Sequence, residues 1–278
     1  MKTQLKKYTN LIITLVFILM AGFGFSQTKG SGNVISENRS TADFTKIKLT
    51  CSADLFISQG STFITVVADD NLINLIETKV ENGTLVINVK GRGFRYIRKL
   101  EVHITMPDLS SVKNSGSGDI TFENTFKAEN LFIGISGSGD LSADLDVRNL
   151  EFKSNGSGDT ELSGVKGSLN VYSSGSGDLE ADGLRLEDCY LQNSGSGEIE
   201  LSGKTNTLKI RVMGSGDFDG YNFTAVAAEV SSSGSSDITL NVVEQLNVVL
   251  NGSGDLTYRG SPAKVDVRTN GSGGVYQK

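Results

Sequence analysis

Histidine, cysteine and proline are almost missing from this 278-residue chain, which has one histidine, two cysteines and two prolines. The lone histidine, His103, alternates outward between Val102 and Ile104, which largely excludes histidine-ligated metal sites and a Ser-His-Asp triad. Cys51 and Cys189 permit a disulfide in an exported chain, but Cys189 falls at an inward apolar position equivalent to Leu150 and Leu169. Both are expected as small buried side chains. Long apolar runs are also scarce. The one present, Leu11–Met20, is shorter than the roughly 20 residues of a membrane helix.

That run follows Lys2, Lys6 and Lys7 and precedes the small residues of Ala21–Ser26, the arrangement of a secretory signal peptide cleaved before Gln27. Residues 1–26 are therefore set apart from the fold. Export to the periplasm or cell surface is expected, with no lipid-anchoring cysteine near the cleavage point and no transmembrane segment in the mature chain. The full chain carries 26 basic and 32 acidic residues; without the leader's three lysines the balance is −9. Residues 27–115 carry 11 basic and 9 acidic residues, whereas residues 116–278 carry 12 and 23. So acidic a repeat region argues against nucleic acid and anionic membranes as partners, and leaves cations, polysaccharides and proteins.

What the chain has in abundance is glycine, 33 residues of it, organised in a recurring phrase. Gly116-Ser117-Gly118-Asp119 is followed by matching phrases beginning at Gly137, Gly156, Gly175, Gly195, Gly214, Gly234, Gly252 and Gly271, in steps of 18 to 21 residues. A fixed period of this length marks a stacked repeat. Six and four residues before each first glycine stand apolar pairs such as Leu150 and Phe152, or Leu169 and Val171. Four and six residues after it the alternation resumes, as in Leu179 and Ala181. Each repeat reads as two short strands hinged at the phrase and closed by a third short segment.

The expected fold is all-β, a single-stranded right-handed parallel β-helix of about nine 18–21-residue coils over residues 116–278. An antiparallel meander with hairpins at each phrase is the alternative; leucine-rich repeats lack their framework here. Residues 27–115 are expected to be a β-rich N-terminal part capping the solenoid, continuous with it as one domain, because an uncapped stack exposes strand edges. Within that part, Gly30-Ser31-Gly32-Asn33 reads as a degenerate echo of the phrase. Asp70 or Asn71 can cap a short helix carrying Leu72, Leu75 and Ile76 on one face.

Ile104-Thr105-Met106-Pro107-Asp108-Leu109, followed by serial Ser-Gly-Ser-Gly-Asp phrases and preceded by a signal peptide, resembles the bacterial exported family labelled auto-transporter adhesin, head GIN domain. The resemblance spans residues 28–278. It implies a right-handed parallel β-helix in a Bacteroidetes-like envelope, a domain of unknown function with no catalytic residues to carry over.

Stacking at about 4.8 Å would align Asp119, Asp140, Asp159, Asp178, Glu198, Asp217, Asp237 and Asp255 along one edge. These acids are calcium candidates, since Gly-rich Asp repeats can bind Ca²⁺ between coils. The preferred reading is a corner in which each carboxylate accepts hydrogen bonds from corner N–H groups and serines, the two glycines supplying backbone angles closed to other residues. Repulsion across about 4.8 Å of water is roughly 0.9 kcal/mol, less than the about 1.5–3 kcal/mol of a hydrogen bond to a charged group. No cofactor is therefore needed, with calcium as the one candidate.

A second candidate is a partner patch of Lys90, Arg92, Phe94, Arg95, Tyr96, Arg98 and Lys99, which can dock an acidic glycan or protein surface or simply be a solvated hairpin. The leading function is a non-enzymatic, adhesin-like envelope or surface protein that binds a glycan or protein through repeated faces. The alternatives are a polysaccharide-degrading enzyme and a calcium-stabilised rod. The outward acid pairs Asp178 with Glu180, Glu198 with Glu200 and Asp217 with Asp219 suit an enzyme, but their recurrence makes none of them singular.

Overall fold

The alternation of apolar and polar residues becomes, in the computed structural model, a stack of long bent strands. Residues 27–278 are described, apart from Arg92; the signal peptide expected over residues 1–26 lies outside them. Leu141–Ser154, Thr160–Ser173, Leu179–Asn193, Ile199–Val212, Phe218–Ser232 and Ile238–Leu250 each form one turn of the solenoid between successive glycine phrases. Every pairing between consecutive turns is parallel, for example Leu150 with Leu169, Leu169 with Cys189 and Cys189 with Leu208. The antiparallel meander is therefore excluded, and the molecule is an all-β parallel solenoid of about nine turns.

Because register is kept from coil to coil, like residues stack on like. Ile133, Phe152, Val171, Leu191, Ile210, Val230 and Val248 form one column of the interior, all essentially without solvent contact. Ile120, Leu141, Leu179, Ile199, Phe218, Ile238 and Leu256 line the facing arm, with Thr160 the one polar member. Between the two arms each coil bends where its register slips, as between Ser163 and Ser168 or Ala181 and Leu184. Three of these bends carry left-handed glycines, Gly164, Gly183 and Gly203.

The phrase glycines obey a different rule. None of them lies at positive φ, so left-handed geometry is not what selects glycine there, contrary to the expectation from turn chemistry. A Cβ on Gly137 would overlap the carbonyl oxygen of Gly116; the same holds for Gly156 on Gly137, Gly175 on Gly156, and on up the stack. Glycine is required because consecutive backbones lie in contact at the corner, each Cβ direction pointing at the coil before. The second glycine is the more tolerant position, since Ser236 occupies it in one coil and donates its hydroxyl to the Gly214 carbonyl at 3.2 Å.

This rule uncovers a corner that the phrase search missed. Gly116 stacks on Cys51 and Gly118 on Ala53, so Cys51-Ser52-Ala53-Asp54 is the first corner of the series. Lys46–Leu49 and Asp54–Gln59 are its arms, paired in parallel with Ser111–Asn114 and Ile120–Phe122. No phrase corner precedes it, so side chains at 51 and 53 are tolerated.

On its other side this coil pairs, still in parallel, with Thr84–Val89 and Leu100–Met106, and on those strands pairing turns antiparallel. Val34–Arg39 lies on Phe63–Asp69, which lies on Leu100–Met106, and Ile76–Glu81 lies on Thr84–Val89. Gly30–Asn33 is not a corner. Instead its Gly32 amide and Asn33 side chain donate to the carboxylates of Asp69 (2.6 Å) and Asp70 (2.8 Å). The helix is a single 3₁₀ turn, Ile73–Leu75, preceded by Leu72 with no side-chain cap, because Asp70 and Asn71 are engaged by residues 29–33. Its buried residues are Leu72, Ile73 and Ile76 rather than Leu75.

Gly156→Ala is expected to cost about 3 kcal/mol, because backbone stands where the methyl group must go. Gly183→Ala, at φ 65° with open space around it, should cost only about 1 kcal/mol. Urea denaturation of the two variants checks the ranking; equal losses would mean that corner contact is not the constraint.

Candidate functional site

The corner places the predicted acids in one line and gives each a defined partner. The Oδ1 of Asp119 accepts from the amide of Asp140 at 2.9 Å, Asp140 from Asp159 at 2.8 Å, and Asp159 from Asp178 at 2.9 Å. Asp178 accepts from Glu198 at 2.8 Å; Asp217, Asp237 and Asp255 accept from Asp237, Asp255 and Gly274, each at 2.8 Å. The line also starts one coil earlier than the phrase, since Asp54 accepts from the Asp119 amide at 3.1 Å. Burial raises the Asp54 carboxyl above the ordinary carboxylate range, with the Asp119 amide opposing that rise. One rung has no such bond among the described residues: Glu198, a methylene longer than Asp, does not take the Asp217 amide.

The serine amides add a backbone ladder at the same corner, Ser157 to the Gly137 carbonyl at 3.2 Å and Ser176 to Gly156 at 3.0 Å. Two asparagines complete it from inside. Asn114 and Asn193, both buried, accept from the first glycine's amide and donate to the second glycine's carbonyl two and four residues on. They fall at an inward strand position where alternation predicts an apolar residue. Their signal is the Asx-turn spacing to the phrase. Among the described residues, no group of three or more His, Cys, Asp or Glu side chains is arranged to hold a metal ion.

A second acidic column runs beside the first. Ser142, Glu161, Glu180, Glu200, Asp219 and Thr239 are direct neighbours on consecutive coils. The paired acids Asp178 with Glu180, Glu198 with Glu200 and Asp217 with Asp219 thus repeat along a face instead of converging. Asp144 stands at the start of that face, its carboxyl held below the ordinary range by hydroxyls of Thr125 and Ser163.

In the partner patch, Arg95 stands over the Tyr96 ring, 5.9 Å from its centroid. Lys90 is paired with Glu77 at 3.0 Å and Lys99 with Glu101 at 2.7 Å, while Arg92 lies outside the described residues. Phe94 and Arg95 pair with Thr28 and Lys29, and the Arg98 amide donates to the buried Asp69 carboxylate at 2.8 Å. Tyr96 projects at 77% exposure on a backbone with φ 52°. His103 stacks on Phe56 with centroids 4.6 Å apart, between Glu101 and Glu123. Both cysteines are free and buried; burial raises both thiols, that of Cys189 to about 12.

Stacked coils in register, with corners closed by backbone, define a β-solenoid repeat protein. The sequence matches the family described as "Putative auto-transporter adhesin, head GIN domain" over residues 43–200 and 187–262, and the chain belongs to that family. Among solved structures it is similar to a "putative lipid binding protein" from Parabacteroides distasonis, with 24% identity and a TM-score of 0.68, covering 91% of this chain and 100% of that one. A "putative adhesin" from Parabacteroides merdae aligns with a TM-score of 0.67 and 21% identity, over 91% and 99% of the two chains. A "putative adhesin" from Parabacteroides distasonis gives 0.64 and 22%, over 91% and 100%. At these identities the likeness shows the fold. No curated protein matches the chain.

Asp159→Ala removes one rung and should lower stability by about 1 kcal/mol, with Asp159→Asn retaining most of it. Glu198→Asp should add stability by completing the line. Urea midpoints measure all three, and an unchanged midpoint in Asp159→Ala would show that the rungs carry no load.

Proposed function

We propose that this protein is an exported, non-enzymatic, adhesin-like protein of the cell envelope or surface that binds a glycan or another protein through its repeated faces. The observation that carries the proposal is the repetition of the outward columns. Glu161, Glu180, Glu200 and Asp219 offer the same chemistry on consecutive coils, which suits an extended partner contacted many times weakly. An enzyme needs a place where the repeat is broken by converging groups; here the acid pairs follow the repeat. Family membership supports an adhesin-like role. Among the described residues no helix is long and apolar enough to cross a membrane. The basic leader with its apolar core supports export, and the antiparallel strands of residues 27–115 support a cap at that end of the stack.

Cell fractionation should recover the protein from the envelope or the surface and not from the cytoplasm, with Gln27 as its first residue. Immobilised protein from Gln27 onward should retain partners from a panel of glycans and envelope proteins. Asp178→Ala alone should change binding less than about twofold, since each coil contributes a small share. Turnover of a glycan, abolished by one acid substitution, would contradict the proposal.

A further inference from the structure

The net acidity of the chain conceals a basic face. On the arm that precedes each corner, outward residues from successive coils form two columns that no sequence window brings together. Lys48 is the direct neighbour of Lys113, and Lys113 of Gly134, which neighbours Lys153 and then Tyr172. In the adjacent column Lys46 neighbours Ser111, and Ser111 neighbours Phe132. Four lysines are thereby grouped around two aromatic rings.

Gly134 shapes the centre of this group. A side chain there would press on the Phe132 ring, with its Cβ 3.0 Å from Cε1, so its absence lets the ring lie across the strand between two lysines. The ammonium groups of Lys113 and Lys153 stand 5.3 and 5.7 Å from the ring centroid, and Lys153 is also 5.0 Å from the Tyr172 centroid. Lys46, Lys48, Ser111, Lys113 and Phe132 line a shallow depression of about 370 Å³. Lys153 is paired with Glu151 at 2.7 Å; among the described residues Lys46, Lys48 and Lys113 have no carboxylate within ion-pair distance.

Lys48 and Lys113, like charges directly opposite on adjacent strands, repel one another, and a bound anion relieves that repulsion. We infer that the face formed by Lys46, Lys48, Lys113 and Lys153 with Phe132 and Tyr172 binds a linear acidic polysaccharide, carboxylated or sulfated, laid along the solenoid axis. The lysines meet its acid groups at intervals set by the coil spacing. The half-buried rings offer apolar surface to the C–H faces of its sugar rings, and their cation neighbours hold them in place. A polynucleotide is the competing polyanion; export of the chain, as proposed above, favours the glycan, and the experiment separates the two. The inference rests on the glycan-binding form of the proposed function.

Biolayer interferometry of the chain from Gln27 against polygalacturonate, dextran sulfate, neutral dextran and single-stranded polydeoxythymidine tests it. Either acidic glycan should bind, with affinity falling as salt rises, while neutral dextran and the polynucleotide do not. Lys113→Glu with Lys153→Glu should weaken binding about tenfold or more, and Phe132→Ala several-fold. Glu244→Lys, at an exposed bend of a distant coil, should cause no loss. Circular dichroism confirms that each variant is folded, and Lys113→Gln with Lys153→Gln gives a milder second measure of the same loss. Binding unaffected by the lysine changes, or preference for the neutral glycan or the polynucleotide, overturns the inference. Should no acidic glycan bind while another glycan or an envelope protein does, the inference fails and the proposed function stands; if nothing binds, both fail.

Discussion

Backbone touches backbone at the corner of every coil, and the rest of the molecule follows from that contact. Two consecutive turns can approach so closely only if the first position of the phrase has no side chain. The glycine period is consequently the period of the solenoid. Once corners are superposed, the arms on either side are held in register, and each inward column becomes a continuous apolar seam. Outward columns become equally continuous, which is why an acid that recurs in sequence becomes an acidic line in space.

The line of acids at the corner would be a liability if its carboxylates faced only each other. Each Asp instead accepts the amide of the equivalent residue one coil on, so the like-charge row is threaded by N–H groups directed at it. Glu198 shows how narrow the fit is: a single extra methylene leaves that rung without the bond. The same corner draws on Asn114 and Asn193 from inside and on serine amides along the edge. Three sets of short hydrogen bonds therefore hold the place where the chain has the least side chain to pack.

Much of this was legible from the chain alone, because periodicity survives folding. The phrase spacing and the flanking apolar pairs carry the stacked repeat, the inward place of Cys189 and the outward place of His103, while the choice of parallel solenoid over antiparallel meander is settled by the strand pairing. What escaped was whatever depends on neighbours. Cys51-Ser52-Ala53-Asp54 does not look like the phrase, since with no corner beneath it the glycines are not required. Turn chemistry alone points to backbone angle as the role of glycine, whereas contact between coils decides it. The cluster at residues 90–99 stood out as a run of charge, yet Glu77 and Glu101, remote or easily overlooked in the sequence, take up two of its lysines. Lys46, Lys113 and Lys153 are far apart in the chain and become one face only through register.

The corner is closed by backbone contact and by carboxylates engaged with amides, and it needs no cation to hold the acids together. Thermal unfolding of the chain from Gln27, followed by circular dichroism with millimolar calcium and again with chelator, tests it most directly. The same melting temperature in both is the predicted result. A melting temperature that rises with calcium would contradict it, and would make the line of acids a cation site.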